Sequence, residues 1–380
     1  MRFTIGACGA TLLAVVLWDA FETIILPRRV SRRFRITRLF YRSTWFPWRA
    51  TAQRLPPRRR EQFLGFFGPL SLLLLLGLWA GGIVFAFGML QWAAGSAVML
   101  TGATPGFAAD LYLSGTTFFT LGLGDVVPRT WVAKTLTVIE SGTGFAFLAI
   151  VIGYLPVIYQ AFSRREGPIA LLDARAGSPP TAGELLWRHR TDTTGEALAE
   201  LLHEWEHWAA EVLESHLSYP ALAYFRSQHN NQSWLAALTT ILDASALVMV
   251  GLEGRCARQA ALTFAMARHT AVDLAQVFSA PPSARLEERL TPAEFAGLQA
   301  RLAGGGMRLR DADTAPARLA ELRRLYEPYV VALARFLSVQ VPPWVRQVEK
   351  PDNWQTSAWD RPAPLSTLDT AVTRRAEDHF

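Results

Sequence analysis

Formal charge is scarce in this chain of 380 residues, and the places where it is missing indicate the class of protein. Charged residues make up 18% of the sequence, against roughly 25% in an average soluble domain. Between Glu61 and Asp110, 48 consecutive residues carry no charge, and a second uncharged run of 23 residues separates Glu140 from Arg164. Each run is longer than the roughly 20 apolar residues that a helix needs to cross a bilayer. A wholly soluble enzyme is therefore excluded as the leading interpretation, and so is a disordered or fibrous chain.

Cysteine is almost absent, and so is one common cofactor signature. The chain has two cysteines, Cys8 and Cys256, so no disulfide framework is implied and the large C-terminal part is free to be cytosolic. That part also lacks the glycine-rich dinucleotide fingerprint and shows hardly any strand-like alternation. We therefore expect no α/β ligand-sensing domain there.

Positive charge is concentrated near the N-terminus. Residues 1–160 carry 15 Lys and Arg against 6 Asp and Glu, and twelve of these arginines lie within Pro27–Arg60. Nucleic acid is the minor interpretation, because anionic lipid at a cytoplasmic leaflet suits a basic segment beside apolar helices better. Four of the arginines recur at every third position, as in voltage-sensor helices: Arg29, Arg32, Arg35 and Arg38. Since further charge fills the gaps within Arg28–Arg42, we favour a basic amphipathic helix on the inner leaflet.

The first apolar segment, Thr4–Leu26, has two interpretations. Cleavage as a signal peptide would leave the arginine cluster outside the cell, against the positive-inside rule. We therefore predict a retained transmembrane helix with its N-terminus outside. Asp19 and Glu22 would then lie near its cytoplasmic end, close enough to Arg28 and Arg29 to pair with them.

Residues 61–165 have the layout of two spanning helices on either side of a short one. We predict an outer helix over residues 66–92 and an inner helix over residues 131–160, both long enough to span. The segment 109–119 is too short to cross the bilayer, and residues 93–108 are too rich in Gly, Thr and Pro to be helical. The short helix is therefore expected to be re-entrant.

A glycine-containing motif follows the short helix. Its six residues are Thr120, Leu121, Gly122, Leu123, Gly124 and Asp125. Together with the threonine-rich helix before it, the motif resembles the selectivity filter of pore-loop potassium channels, T-x-G-[YFL]-G-D, and the resemblance covers about Phe66–Gln160. It implies that K⁺ is coordinated by a ring of backbone carbonyls from residues 120–124 of four chains, with the Thr120 hydroxyl at the inner end. It also implies that Asp125 stands at the outer mouth, where it concentrates cations and braces the filter.

The side chain at position 123 bears on the selectivity of such a filter. Gly122 and Gly124 allow the backbone a positive φ without a Cβ penalty, as inward-facing carbonyls require. Leu123 stands where the family most often has Tyr, and Phe118 and Phe119 of the pore helix offer no polar group to hold it. We predict an apolar packing in place of the usual aromatic cuff. K⁺ selectivity is the favoured interpretation, and a weakly selective cation channel is the alternative.

The inner helix contains two candidates for a gating hinge. Gly144 lies nineteen residues after Asp125, where related channels have a hinge. Pro156 would weaken the helix one to two turns before its predicted cytoplasmic end. Close helix packing is the alternative role for a glycine in a spanning helix.

Glu140, one turn before Gly144, is an intramembrane carboxylate and therefore a functional candidate by default. It is expected to support the filter from behind by facing the hydroxyls of Thr116 and Thr117, or else to pair with Lys134 of the same helix. The sequence does not choose between these partners.

The region 166–340 shows helical periodicity, and residues 341–380, rich in Pro, Trp and charge, are predicted to form an extended tail. We predict helices over Ala182–Leu217, Ser233–Leu252, Arg255–Phe278, Pro292–Leu302 and Pro316–Leu337. Trp234–Leu252 is apolar enough to span, but Asp243 lies at its middle, where a charge is costly. A buried core helix is the favoured interpretation.

His203-Glu204-Trp205-Glu206-His207 matches H-E-x-x-H, the helix motif of zinc peptidases. His203 and His207 share a helix face, as a zinc site requires, but glutamates line the same face and apolar residues the opposite one. We favour an amphipathic helix with a solvated His/Glu face, and we do not expect an enzyme. A membrane metalloprotein using these two histidines is the alternative from another class.

The predicted fold class is an all-α membrane protein: a pore-loop tetrameric cation channel with an extra N-terminal transmembrane helix within residues 1–60 and an α-helical cytoplasmic C-terminal domain. The expected function is passive K⁺ conduction across a bacterial plasma membrane. The expected partners are three identical subunits and anionic lipids at Arg28–Arg60, with no nucleic acid. No cofactor is expected, since K⁺ is the permeant ion. The gating stimulus stays open, and an unidentified cytoplasmic ligand is one candidate.

Overall fold

The structure, a computed structural model, consists of two helical units that divide the chain after Gln160. It describes residues 2–26, 35–95, 99–100, 106–192, 194–228, 232–251, 255–284, 288–307 and 314–346.

Helices dominate the first unit. They are α1 (Arg2–Ile24), α2 (Ile36–Ala52), α3 (Pro57–Ala93), α4 (Phe107–Phe118) and α5 (Trp131–Ala176), the last of which continues into the second unit. Two strands of two residues each, β1 (Met99–Leu100) and β2 (Val126–Val127), pair in antiparallel fashion before α4 and after the filter motif. Helix α4 corresponds to the predicted short re-entrant helix, the pore helix of the Sequence analysis, and lies within two residues of its predicted bounds.

Several boundaries in the first unit differ from the prediction. The outer helix begins at Pro57 and not at residue 66, because proline is favoured in the first turn of a helix, where its missing N–H costs nothing. The inner helix does not end at residue 160 but runs to Ala176. The segment 93–108, predicted to be non-helical, contains β1, and the described part of the predicted basic helix is α2, which starts at Ile36.

The two carboxylates of α1 are paired near its C-terminal end. Asp19 is fully buried and accepts hydrogen bonds from the Trp79 indole (3.0 Å) and from the backbone and hydroxyl of Thr37 (3.1 and 2.6 Å). Arg35 lies 3.4 Å from Glu22. Arg35 thus takes the role predicted for the arginines at positions 28 and 29, which lie outside the described residues.

The second unit is a helical domain built around a buried central helix. Its helices are α6 (Ala182–Arg188), α7 (Glu196–Ser218), the 3-10 helix Pro220–Tyr224, α8 (Trp234–Gly251), α9 (Arg255–Val277), α10 (Pro292–Gly304), α11 (Ala315–Arg324) and α12 (Glu327–Leu337). By length and composition, α1, α3, α5 and α8 could each cross a membrane, but the apolar window of α8 is 94% buried and that of α5 only 11%. The prediction of α8 as a core helix is therefore confirmed.

Three sequence predictions for the second unit are wrong. The helix predicted over Ala182–Leu217 divides into α6 and α7, because Asp192 accepts hydrogen bonds from the backbone amides of Gly195 and Leu198 and forms a turn. The helix predicted over Pro316–Leu337 divides into α11 and α12. The packed domain also extends past residue 340, since Trp344 is completely buried; residues 347–380 of the predicted tail lie outside the described residues.

Candidate functional site

The motif between α4 and β2 has an alternating backbone. Thr120, Gly122 and Gly124 have φ values of 58°, 56° and 76°, whereas the leucines between them are not in the positive-φ region. Alternation of this kind turns successive peptide groups the same way, so that their carbonyls can form one row of oxygen ligands. A positive φ costs glycine little, but for a β-branched threonine it is an outlier that costs about 1–3 kcal/mol.

The end of α4 holds this backbone through hydrogen bonds. The amide of Leu121 donates to the Thr116 carbonyl at 2.7 Å, and the amide of Thr120 donates to the Thr117 carbonyl at 3.0 Å. The Thr116 hydroxyl instead donates to Leu113 of its own helix. Thr116 and Thr117 therefore support the motif with backbone carbonyls, which sequence reasoning did not predict.

The outer end of the motif is tied to α4 by a tyrosine that the sequence analysis missed. The Tyr112 hydroxyl donates to Asp125 Oδ2 at 2.9 Å. A helix and the strand-like segment that returns alongside it run in opposite directions, so a residue two turns before the end of α4 lies level with the far end of the motif. Reading the two segments in antiparallel register could have identified Tyr112. Tyr112 supplies a polar link at this end of the motif, where the side chain of Leu123 has no hydroxyl to form one.

Glu140 lies behind the motif and links three helices. It is fully buried on α5, and its Oε1 contacts the hydroxyl of Ser114 on α4. The same hydroxyl also lies 2.7 Å from the carbonyl of Val84 on α3. The Ser114 hydroxyl therefore lies between a backbone carbonyl of α3 and the carboxyl group of Glu140 on α5. The partner of Glu140 is thus neither a threonine hydroxyl nor Lys134, whose ammonium lies 5.4 Å from the Trp131 ring centroid.

The glycines of α5 differ sharply in their surroundings. A Cβ at Gly144 would lie 2.2 Å from the Phe118 carbonyl oxygen, whereas none of the described atoms would come within 4 Å of a Cβ at Gly142 or Gly153. Gly144 therefore permits the close approach of α5 to the end of the pore helix. The helix continues without a break through Gly144 and Pro156, so a hinge at either position stays a prediction.

Aromatic packing buries Phe118 at the end of α4 but leaves other apolar side chains around the filter motif exposed. Phe118 is buried and packs against Phe119 and Phe147, with ring centroids 5.1 and 5.7 Å apart. Within a single chain Phe119, Leu121 and Leu123 each expose about 60% of their surface. Part of the apolar surface around the motif is therefore uncovered by the chain's own described residues.

Comparison with known families adds one finding. Residues 72–160 match the model of a family described as "Ion channel". This segment is an ion-channel pore domain. The match starts within α3, ends within α5 and includes α4, the filter motif and the residues behind it. The pore domain and the apolar helices together indicate a membrane protein that conducts ions passively. None of the curated proteins and none of the solved structures compared with the chain matches it.

The H-E-x-x-H motif lies on α7, outside the ion-channel domain. His203 and His207 are neighbours, with ring centroids 4.4 Å apart, and His207 Nδ1 lies 3.0 Å from the His203 carbonyl. Two residues between them have partners on other helices: Glu204 contacts Arg175, and Glu206 accepts from Gln259. Within the described part of the chain no group of three or more His, Cys, Asp or Glu is arranged to hold a metal ion.

Proposed function

We propose that the protein is a K⁺-selective channel that conducts passively as a homotetramer. The observation that carries the proposal is the alternation of positive φ at Thr120, Gly122 and Gly124 within the matched domain. In this proposal the carbonyls of residues 120–124 replace the water shell of K⁺. Asp125 attracts cations at the outer mouth.

The tetramer is supported by the geometry that an ion requires. Each chain contributes one filter motif, and a ring of carbonyls around an ion needs four. The exposed side chains of Leu121 and Leu123 would then pack against neighbouring subunits. Apolar surface of this kind beside a functional segment is typical of a subunit interface or a lipid contact.

K⁺ selectivity is supported by the contacts that restrain the filter from two sides. Tyr112 holds the outer end through Asp125, and the Glu140–Ser114 pair holds α4 against α5. A weakly selective cation channel is the alternative, because Leu123 provides no hydroxyl of its own to stiffen the outer filter.

Regulation is proposed to pass through the C-terminal domain, which we place in the cytoplasm of a bacterial cell, with the N-terminus outside. The support is Arg165 on the last part of α5. The Arg165 guanidinium is buried and donates to the carbonyls of Leu222 and Phe225 at 2.9 and 2.8 Å. The Trp208 indole in turn donates to the backbone carbonyl of Arg165. A ligand that moved these groups would also move the end of the inner helix.

The test is ion flux from liposomes that contain the purified protein, with K⁺ and Na⁺ gradients compared. We expect K⁺ flux to exceed Na⁺ flux clearly in the wild type. Gly122→Ala and Gly124→Ala should abolish selective flux, because the added methyl group disfavours positive φ, while Gly142→Ala is the matched control. Equal K⁺ and Na⁺ rates in the wild type would support the weakly selective alternative, and unchanged selectivity in both filter variants would remove the filter assignment.

A further inference from the structure

Two histidines lie one turn apart on the solvent-exposed side of α7. His203 and His207 are both exposed, and their ring centroids are 4.4 Å apart, with the ring planes at 79° to each other. Residues four apart on a helix are neighbours on one face, with Cβ atoms about 5–6 Å apart. The pair therefore has the spacing at which two imidazole rings can reach one metal ion.

The contacts of the two rings leave the same nitrogen available on each. His207 Nδ1 lies 3.0 Å from the His203 carbonyl oxygen, and since a carbonyl only accepts hydrogen bonds, this nitrogen carries the proton. His203 Nδ1 lies 3.9 Å from a carboxylate oxygen of Glu206, which favours a proton on that nitrogen as well. A neutral imidazole with its proton on Nδ1 has a free lone pair on Nε2. Metal-binding histidines are held in this way, with the other ring nitrogen directed to a carbonyl or a carboxylate.

The backbone that carries the pair is fixed from the other side of α7. Thr263 and Thr270 of α9 donate hydrogen bonds to the carbonyls of Leu202 and Ala209 at 2.8 and 3.0 Å. These two bonds lie just before the first histidine and just after the second. Binding an ion would therefore order two side chains and no backbone, so the entropic cost of binding is small.

The two glutamates between the histidines have partners on other helices. Glu204 contacts Arg175 of α5 at 3.3 Å, and Glu206 accepts a hydrogen bond from Gln259 of α9 at 2.7 Å. Glu204 stands where H-E-x-x-H peptidases have their general base. Within the described residues the pair belongs to no group of three or more potential metal ligands. The arrangement therefore suits the binding of an ion and lacks the third protein ligand of a catalytic zinc site.

We propose that His203 and His207 chelate one divalent transition-metal ion through their Nε2 atoms, with water in the remaining positions. Imidazole nitrogen suits Zn²⁺, Cu²⁺ and Ni²⁺, whereas Mg²⁺ and Ca²⁺ prefer oxygen ligands. Two protein ligands are fewer than those of a resident zinc site, so this ion exchanges with the solution. The inference goes beyond the proposed function, because the ion is bound by the C-terminal domain and does not pass through the pore.

The experiment is a calorimetric titration of the full-length protein in detergent with ZnCl₂, after purification through a tag that contains no histidine. We expect one Zn²⁺ per chain and no binding of MgCl₂. His203→Gln and His207→Gln should each weaken Zn²⁺ binding at least tenfold, since the loss of an outer contact to a metal ligand already costs about 10–100-fold. The matched control is His269→Gln, which removes an exposed histidine of α9 whose neighbour one turn away is Asp273. It should leave the affinity unchanged.

A further variant keeps the number of histidines and changes only their spacing. His207→Gln/Glu211→His places the two exposed imidazoles eight residues apart, about 12 Å along the helix axis. One ion cannot bridge that distance, so this variant should bind Zn²⁺ as weakly as His207→Gln. Wild-type affinity in the respaced variant would mean that Zn²⁺ collects on the acidic surface of α7 without chelation, and the proposal would be wrong.

Electron paramagnetic resonance of the protein with one Cu²⁺ per chain counts the ligands directly. We expect nitrogen couplings from two imidazoles in the wild type and from one in His203→Gln. A single imidazole in the wild type, or one ion shared by two chains in the titration, would overturn the chelate. The measurement does not depend on conduction: a protein that binds Zn²⁺ but conducts no K⁺ would contradict the proposed function alone, and a conducting protein that binds no Zn²⁺ would contradict the metal site alone.

Discussion

Replacing Gly144 with alanine separates two roles that a glycine in the inner helix can have. The new Cβ would lie 2.2 Å from the Phe118 carbonyl oxygen and 2.9 Å from its carbonyl carbon. The obstruction is backbone and not a flexible side chain, so it cannot move aside by changing rotamer. Either α5 or the end of the pore helix must shift by roughly 1 Å to restore ordinary van der Waals contact.

The energetic balance can be worked from the same contact. An alanine in a helix is favoured over glycine by about 1 kcal/mol, and this gain applies equally to Gly142, Gly144 and Gly153. At Gly144 it is opposed by overpacking, which costs typically about 1–3 kcal/mol. At Gly142 and Gly153 a Cβ meets none of the described atoms within 4 Å. We therefore expect Gly144→Ala to be destabilising, and the two control variants to be neutral or slightly stabilising.

The functional effect should be large, because the displaced carbonyl belongs to the residue two before the filter. We expect Gly144→Ala to reduce K⁺ flux from liposomes and to lower the ratio of K⁺ to Na⁺ flux, while Gly142→Ala and Gly153→Ala keep both. Thermal unfolding and subunit assembly are measured on the same samples. Wild-type selectivity and stability in Gly144→Ala, with only its open probability altered in single-channel recordings, would refute the packing argument and favour a hinge.

Three further predictions concern the mouth of the filter and the C-terminal domain. Tyr112→Phe removes the hydrogen bond to Asp125 and should lower K⁺ over Na⁺ selectivity in the flux assay without loss of assembly; an unchanged ratio would mean that the bond does not restrain the filter. Burial and the nearby Arg165 lower the pKa of His216 to about 3, well below the roughly 6.5 of an unfolded histidine. Stability should therefore fall with decreasing pH between 6.5 and 3, by about 2 kcal/mol from pH 7 to pH 5. Comparison of thermal unfolding in wild type and His216→Gln checks this, and a difference that does not vary with pH would contradict it. Finally, Arg289→Ala leaves the buried Asp243 without its cation, while Glu327 keeps Arg323 at 3.0 Å, and should cost about 3–5 kcal/mol; a thermal midpoint within 2 °C of the wild type would show that the pair is dispensable.

The helical content and the order of the spanning segments could be predicted from the sequence because they depend on local pattern. Long uncharged runs and periodic apolar positions determine α3, α5 and α8 with little help from the rest of the chain. One of the errors arose where a single side chain redirects the backbone. Asp192 ends a helix that periodicity alone would continue, since its carboxylate competes for backbone amides.

The residues around the filter show why the contacts of the site were harder to predict than its location. The motif itself is contiguous and could be read directly, but Ser114, Glu140 and Val84 come from three helices and meet only through packing. A sequence shows that Glu140 needs a partner in an apolar setting. It does not show which of several hydroxyls on the pore helix will face it, because that depends on the rotation of α4.

Thr120 illustrates the same limit at the level of one residue. Local preference argues against positive φ for a β-branched side chain, so the sequence suggests that the two glycines alone adopt it. The structure places Thr120 there as well. The end of α4 holds this backbone, because the amides of Thr120 and Leu121 donate to the carbonyls of Thr117 and Thr116. These are local hydrogen bonds at the C-terminal end of α4, and they offset a conformational cost of about 1–3 kcal/mol at Thr120. The same bonds extend the alternation of positive φ beyond the two glycines.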